Sequence, residues 1–304
     1  MEILVTGITG YVGSRLAPRL QREGHRVRGF ARGKAAATPG VFVVRGDAVS
    51  GAGLEQALAD IEVAYFLMHS MERSSNGAFA TRERAAAANF VRAAQAAGVR
   101  RIVYLGGLLP AGGPASTHLA SRLAVEKVLL EAIPDSVAFR ASIVIGAGSR
   151  SFRFLVRLVE RLPVLAVPAW RSHRTQPIDE RDVLELLTRA AASQPVGGQS
   201  LDIGGPDIVT YGELIERIRD LMLVGRPTIS FRRLTATPIA SRLASVIADE
   251  EYGLIGPLME SLGEDLLPRD NRAAELLHVK LHSLDRAIEH ALREWEAIEP
   301  LAAR

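Results

Sequence analysis

Three glycines, Gly7, Gly10 and Gly13, recur at intervals of three within the stretch Met1–Leu16, MEILVTGITGYVGSRL. Residues of this type at this spacing suit the binding of phosphate. Gly7 permits a sharp turn, Gly10 lets the backbone approach a pyrophosphate, and Gly13 lets a helix lie close to a strand. The N–H groups at the start of such a helix add a partial positive charge that faces the phosphates. The pattern has meaning only between a strand and a helix. Ile3-Leu4-Val5 supplies a short apolar run before it, and Tyr11, Val12 and Leu16 open a helical pattern after it. The stretch reads as a dinucleotide-binding turn, with Gly7, Thr9, Gly10, Tyr11, Val12 and Gly13 closest to the ligand.

The elements that must position this turn alternate in type. Helix Tyr11–Gln21 stops at Gly24, and His25–Ala31 and Val41–Val44 read as strands. Helix Ala52–Leu58, strand Val63–Met68 and the alanine-rich helix Thr81–Ala97 follow, the last ending at Gly98. Strand Ile102–Leu105, helix His118–Glu131 and strand Val137–Ala141 complete the series. Strands alternating with helices imply a parallel sheet with right-handed crossovers, and short apolar strands fit a sheet covered on both faces. Ligands in such folds lie at the carboxyl ends of the strands. Beyond Gly146 the pattern loosens. Helices are expected at Phe152–Arg161 and Asp182–Ala192, strands at Ser200–Ile203 and Thr228–Phe231, and an amphipathic helix near Ser283–Ala297. Thr210 with Glu213 three residues on forms a helix-capping signature.

Composition narrows the function classes. The 304 residues are 48% hydrophobic, enough to bury a large core. Lys and Arg number 37 against 34 Asp and Glu, a formal net charge of +3 with the signs interspersed, which argues against nucleic acid as a partner. The absence of cysteine excludes disulfides, thiolate catalysis and thiolate metal sites. No run reaches the ~18–20 apolar residues of a membrane span. The longest candidate, Leu234–Ala248, is broken by Pro238 and Arg242. The start is too short and too poor in basic residues for a signal peptide. A cytoplasmic protein is expected, with peripheral membrane contact and oligomeric state left open.

At this point the chain resembles the short-chain dehydrogenase/reductase superfamily. Thr6-Gly7-x-x-Gly10-x-x-Gly13 is similar to the turn of its extended and atypical branches. The segments Tyr65–Met71, Tyr104–Leu108, Ser116–Arg122, Arg140–Gly146, Gln176–Ile178 and Asp202–Asp207 resemble the atypical reductases similar to the complex I 39 kDa subunit and NmrA-like proteins. The resemblance implies an α/β fold, a Rossmann-like doubly wound parallel sheet with a small C-terminal substrate lobe. It places an NAD(P)-binding domain at 1–145 and a substrate lobe at 146–304, with 176–204 returning to the sheet. Members often carry a further C-terminal domain, and the chain is expected to stop before a full copy of it.

Cofactor choice follows from charge. NAD-specific sites place a carboxylate at the end of the second strand to bind the ribose 2′-hydroxyl. Here that strand ends Arg28-Gly29-Phe30-Ala31-Arg32-Gly33-Lys34, without one. Arg32, with Lys34 nearby, suits a 2′-phosphate through charge-assisted contacts. NADP(H) is therefore favoured, with NAD(H) as the alternative. Asp47 resembles the family aspartate that contacts the adenine amino group, and Ala48 adjoins it.

The superfamily's usual catalytic residues are replaced. Most members use Tyr-x-x-x-Lys on one helix, with a serine at the preceding strand end. The matching place holds His118-Leu119-Ala120-Ser121-Arg122, and the strand end is Gly106-Gly107. The four-residue spacing keeps both side chains on one helix face. A histidine can donate a proton near neutral pH, and Arg122 suits the nicotinamide ribose or a substrate anion. His118 and Arg122 are the catalytic candidates, and packing of His118 at the helix start is the structural alternative.

The strand-end loops nominate further residues. Met68, His69, Gly106 and Ser142 are expected on the cofactor, and Ser70, Met71, Gly107, Leu108, Trp170 and Gln176 on a small-molecule substrate. No metal site is assigned. His278 and His282 would share a face if helical, but no third ligand is apparent. Three functions compete: NADPH-dependent reduction of a small carbonyl, enone or quinone-like molecule; nucleotide binding without turnover in a sensor or assembly protein; and redox-neutral isomerisation or cyclisation with NADP(H) retained.

Overall fold

A computed structural model describes residues 1–33, 39–68, 78–114, 116–161, 165–167, 169–225, 228–230 and 263–301. Lys34, His69, Ser70, Met71, Phe231 and the run 234–248 lie outside them. The first half runs β1 (Glu2–Thr6), α1 (Tyr11–Arg22), β2 (Arg26–Ala31), β3 (Phe42–Arg45), α2 (Leu54–Leu58), β4 (Val63–Phe66), α3 (Ala78–Ala96), β5 (Arg101–Gly107), α4 (Thr117–Ala132) and β6 (Val137–Ala141). The second runs β7 (Val144–Ile145), α5 (Arg150–Arg161), β8 (Leu165–Val167), a 3-10 turn (Ala169–Ser172), β9 (Arg174–Thr175), β10 (Ile178–Asp179), α6 (Glu180–Ala190), β11 (Gln199–Ile203), β12 (Val209–Thr210), α7 (Tyr211–Leu221), β13 (Thr228–Ser230), α8 (Arg272–Leu276) and α9 (Leu284–Glu296).

Seven strands form one parallel sheet in the order β11-β6-β5-β4-β1-β2-β3. The strand order reverses between β1 and β4, the switch point where ligands of doubly wound sheets bind. Side chains alternate between the faces with the period of two that a pleated strand imposes. Ile3, Val5, Val63, Tyr65, Val103 and Phe139 pack with Leu16 and Leu20 of α1 and Val183 and Leu187 of α6. Leu4, Ala64, Ile102 and Ala138 pack with Leu54, Phe90 and Leu129 of α2, α3 and α4. A third cluster joins Phe152 and Val156 of α5, Leu214 and Ile218 of α7, and Ile288 and Trp295 of α9. Thr210 and Glu213 form a reciprocal capping box that starts α7.

Two buried ionic clusters lock the sheet. Arg101, fully buried at the start of β5, donates to Asp135 at 2.8 Å and to the carbonyls of Ala190 and Ser193 at 2.6 Å. Arg140 in β6 forks onto Glu126 of α4 at 2.9 and 2.5 Å, and Ser200 of β11 donates to the same carboxylate at 2.6 Å. Among the described residues, no helix is long and apolar enough to cross a membrane.

Candidate functional site

Hydrogen bonding fixes the turn after β1. The Thr6 hydroxyl donates to the Tyr65 carbonyl at 2.8 Å and accepts from the Leu67 N–H at 3.1 Å, tying the ends of β1 and β4 together. Gly7 adopts φ +65°, and a Cβ there would stand 2.6 Å from the Leu67 carbonyl oxygen. A Cβ on Gly13 would stand 2.3 Å from the Gly7 carbonyl, so α1 lies against the turn only because position 13 has no side chain. Gly10 caps α1 without a side-chain hydrogen bond, and the first turn holds no acidic residue. The helix start thus keeps N–H groups for an anion. These features fit a dinucleotide pyrophosphate.

A cavity of about 590 Å³ runs across the carboxyl ends of the strands. It is lined by Gly7, Thr9, Gly10, Tyr11, Val12, Gly13, Arg32, Asp47, Ala48, Met68, Gly106, Gly107, His118, Arg122 and Ser142, all nominated by the sequence. Arg32 follows β2 on the surface, and the Arg45 guanidinium donates to its carbonyl at 3.1 Å. Asp47 closes the turn after β3, its Oδ1 accepting from the Val49 N–H at 2.9 Å. At the opposite end, the Ser142 hydroxyl lies 3.0 Å from that of Thr175.

Ser116 caps α4, accepting from the Leu119 N–H at 3.2 Å, and so brings His118 to the first turn. The His118 ring packs against Phe79, centroids 5.7 Å apart. Burial, reinforced by the positive charge of Arg122, pulls its pKa down to about 4. His118 is therefore neutral at pH 7, and the expectation of a histidine titrating near neutrality is corrected. Arg122 is buried one helical turn on, its Nε 3.9 Å from Glu83 of α3. Ser121 orients that carboxylate with a 2.7 Å hydrogen bond.

Three substrate nominations do not line the cavity. Leu108 is buried, its N–H donating to the Ala141 carbonyl at 3.0 Å. Trp170 packs edge-on against Tyr211, beside the core of α5, α7 and α9. Gln176 is buried and donates to the Gly205 carbonyl at 2.5 Å, holding two loops together. His278 and His282 share no helix face. His278 follows α8 with φ +52°, and His282 lies 2.6 Å from Asp182 of α6.

Other lining residues escaped the sequence reading. Ser149, Arg150 and Ser151 reach the cavity from the start of α5, and Arg82 from α3. The first three fall in a strand-end loop already flagged by the alternation, whereas Arg82 is one charge among many on a helix. Glu180 had no sequence signal as a partner. It accepts the Tyr11 hydroxyl and lies 2.8 Å from Arg15, which also reaches Glu294 of α9 at 2.7 Å.

Comparisons with known proteins bear on the fold and its first half. Residues 7–132 match the family described as NAD(P)H-binding. An uncharacterized protein of Mycobacterium tuberculosis is 25% identical over 239 residues, 78% of this chain and 25% of its own length. The mitochondrial NADH dehydrogenase [ubiquinone] 1 alpha subcomplex subunit 9 of Arabidopsis thaliana is 25% identical over 126 residues, 41% of this chain and 31% of its own. The chain thus spans only about a quarter to a third of these curated relatives. Among solved structures, UDP-glucose 4-epimerase of Thermotoga maritima superposes with a TM-score of 0.75 at 13% identity, covering 98% of this chain and 99% of that one. Residues 7–132 are thus similar to the NAD(P)H-binding family, and the whole chain shares the fold of that epimerase.

Proposed function

We propose that the protein is an NADP(H)-dependent reductase of a small carbonyl, enone or quinone-like molecule. The observation that carries this reading is the single cavity in which the glycine turn, Arg32, His118, Arg122 and Ser142 meet. The glycine turn and the start of α1 would hold the pyrophosphate, and Arg32 the 2′-phosphate. Bound NADPH supplies a hydride. His118, neutral at pH 7, would present a ring N–H to the substrate oxygen, Arg122 would stabilise the negative charge that grows there, and the proton that completes the reduction would come from solvent. Ser142 would orient the reacting end through its hydroxyl.

The test is equilibrium binding of NADPH and NADH to the wild type and to Arg32→Ala. Micromolar or tighter NADPH binding, with the preference over NADH lost in Arg32→Ala, supports the reading. A preference for NADH overturns the assignment of Arg32, and binding of neither overturns the whole. The replacement of tyrosine, lysine and serine by His118, Arg122 and Gly106 favours a second reading, nucleotide binding without turnover. A screen of carbonyls, enones and quinones separates the two, because only the reductase consumes NADPH.

A further inference from the structure

The charges lining the cavity are unevenly distributed. Among the described lining residues Asp47 is the one carboxylate, and it stands beyond β3, beside Arg32 at the end that suits adenosine. The opposite end, formed by β5, β6 and the starts of α3, α4 and α5, is lined by Arg82, Arg122 and Arg150. Arg150 opens α5, whose first turn holds no acidic residue. Glu83 offsets part of the charge of Arg122, and His118 adds none at neutral pH. The described lining of this end is therefore positive. Clefts of one sign enclosed by low-dielectric walls concentrate ligands of the other sign.

We infer that this end selects an anionic substrate, a small molecule bearing a carboxylate or phosphate beside its reducible group, gripped by Arg82, Arg122 and Arg150. Guanidinium groups bind such oxyanions through paired hydrogen bonds. The three arginines come from three different helices, α3, α4 and α5, and line the same cavity. Arg150 is exposed at a helix start, and Arg122 is buried. The inference rests on the reductase reading, since it assumes that the cofactor fills the other end.

The test uses protein saturated with NADPH and three probes: 4-formylbenzoate, its neutral methyl ester, and inorganic phosphate as a competitor. Bound-NADPH fluorescence reports binding, and far-UV circular dichroism confirms the fold of each variant. 4-Formylbenzoate should bind at least tenfold more tightly than the ester. Displacement by phosphate at millimolar concentration extends the site to phosphate compounds, and no displacement restricts it to carboxylates. Arg150→Gln and Arg82→Gln should each reduce the discrimination at least threefold, with Arg150→Gln leaving NADPH affinity within twofold. Equal binding of acid and ester, binding of neither, or discrimination unchanged in both variants overturns the inference while the reductase reading stands. Failure of the wild type to bind NADPH overturns both.

Discussion

The hydroxyl of Tyr11 donates to the carboxylate of Glu180, joining the first residue of α1 to the first residue of α6, 169 positions along the chain. Arg15 completes the junction by lying over the Tyr11 ring and bridging Glu180 to Glu294. Tyr11 also lines the cavity, so the phosphate-side turn and the second half of the chain share one polar cluster. Removing the tyrosine hydroxyl leaves a desolvated carboxylate with one fewer donor. Tyr11→Phe should cost about 1–3 kcal/mol of stability. Chemical denaturation checks this, and a loss below about 0.5 kcal/mol would show that Arg15 alone satisfies Glu180.

His118 makes stability depend on pH. Its folded pKa of about 4 lies below the ordinary 6.5, so between these values the unfolded chain binds the extra proton. Stability contributed by the neutral imidazole is present above pH 6.5 and is lost as pH falls towards 4, by roughly 1–3 kcal/mol for a half-buried ring. His118→Gln should flatten the difference between denaturation curves at pH 7 and pH 5. A ring titrating near 6.5 by NMR would contradict the burial effect.

Cofactor selectivity should depend on two arginines in different ways. Arg32→Ala should abolish discrimination between NADPH and NADH. Arg45 acts through the Arg32 carbonyl that it holds, so Arg45→Ala should weaken NADPH binding by a smaller factor, about three- to tenfold, which corresponds to one modest hydrogen bond. Isothermal titration of both variants distinguishes the roles. Equal losses would make Arg45 a direct phosphate contact.

The Arg140–Glu126 pair is buried and forked, and its charges depend on each other. Glu126→Ala should destabilise the protein by about 3 kcal/mol, because it removes both hydrogen bonds of a buried guanidinium and leaves it only Asp202, 3.8 Å away. Replacing the pair with Met at 140 and Leu at 126 should recover most of that loss. A double variant as unstable as the single one would indicate that Ser200 and Asp202 need the ionic partners.

The sequence by itself determined the sheet and the edge at which the cavity lies. The alternation of apolar runs and helical patterns is local, and so are the glycine spacing and the capping pair Thr210 and Glu213. Each acts through backbone sterics or a hydrogen bond within a few residues. That is why the glycine turn, Arg32, His118, Arg122 and Ser142 could be nominated from order along the chain, and why they line one cavity. The tertiary structure decided what depends on distant partners. Glu180 reaches Tyr11 only after the second half of the chain folds back over α1. Gln176 and Trp170 face their own loops and core rather than the cavity, because packing, and not proximity to a motif, sets side-chain direction. Desolvation lowered the pKa of His118, and desolvation exists only once Phe79 and Arg122 surround the ring. The presence of Arg82, Arg122 and Arg150 in one cavity has the same origin: their charges are written in the sequence, but the cavity they share is a property of the fold.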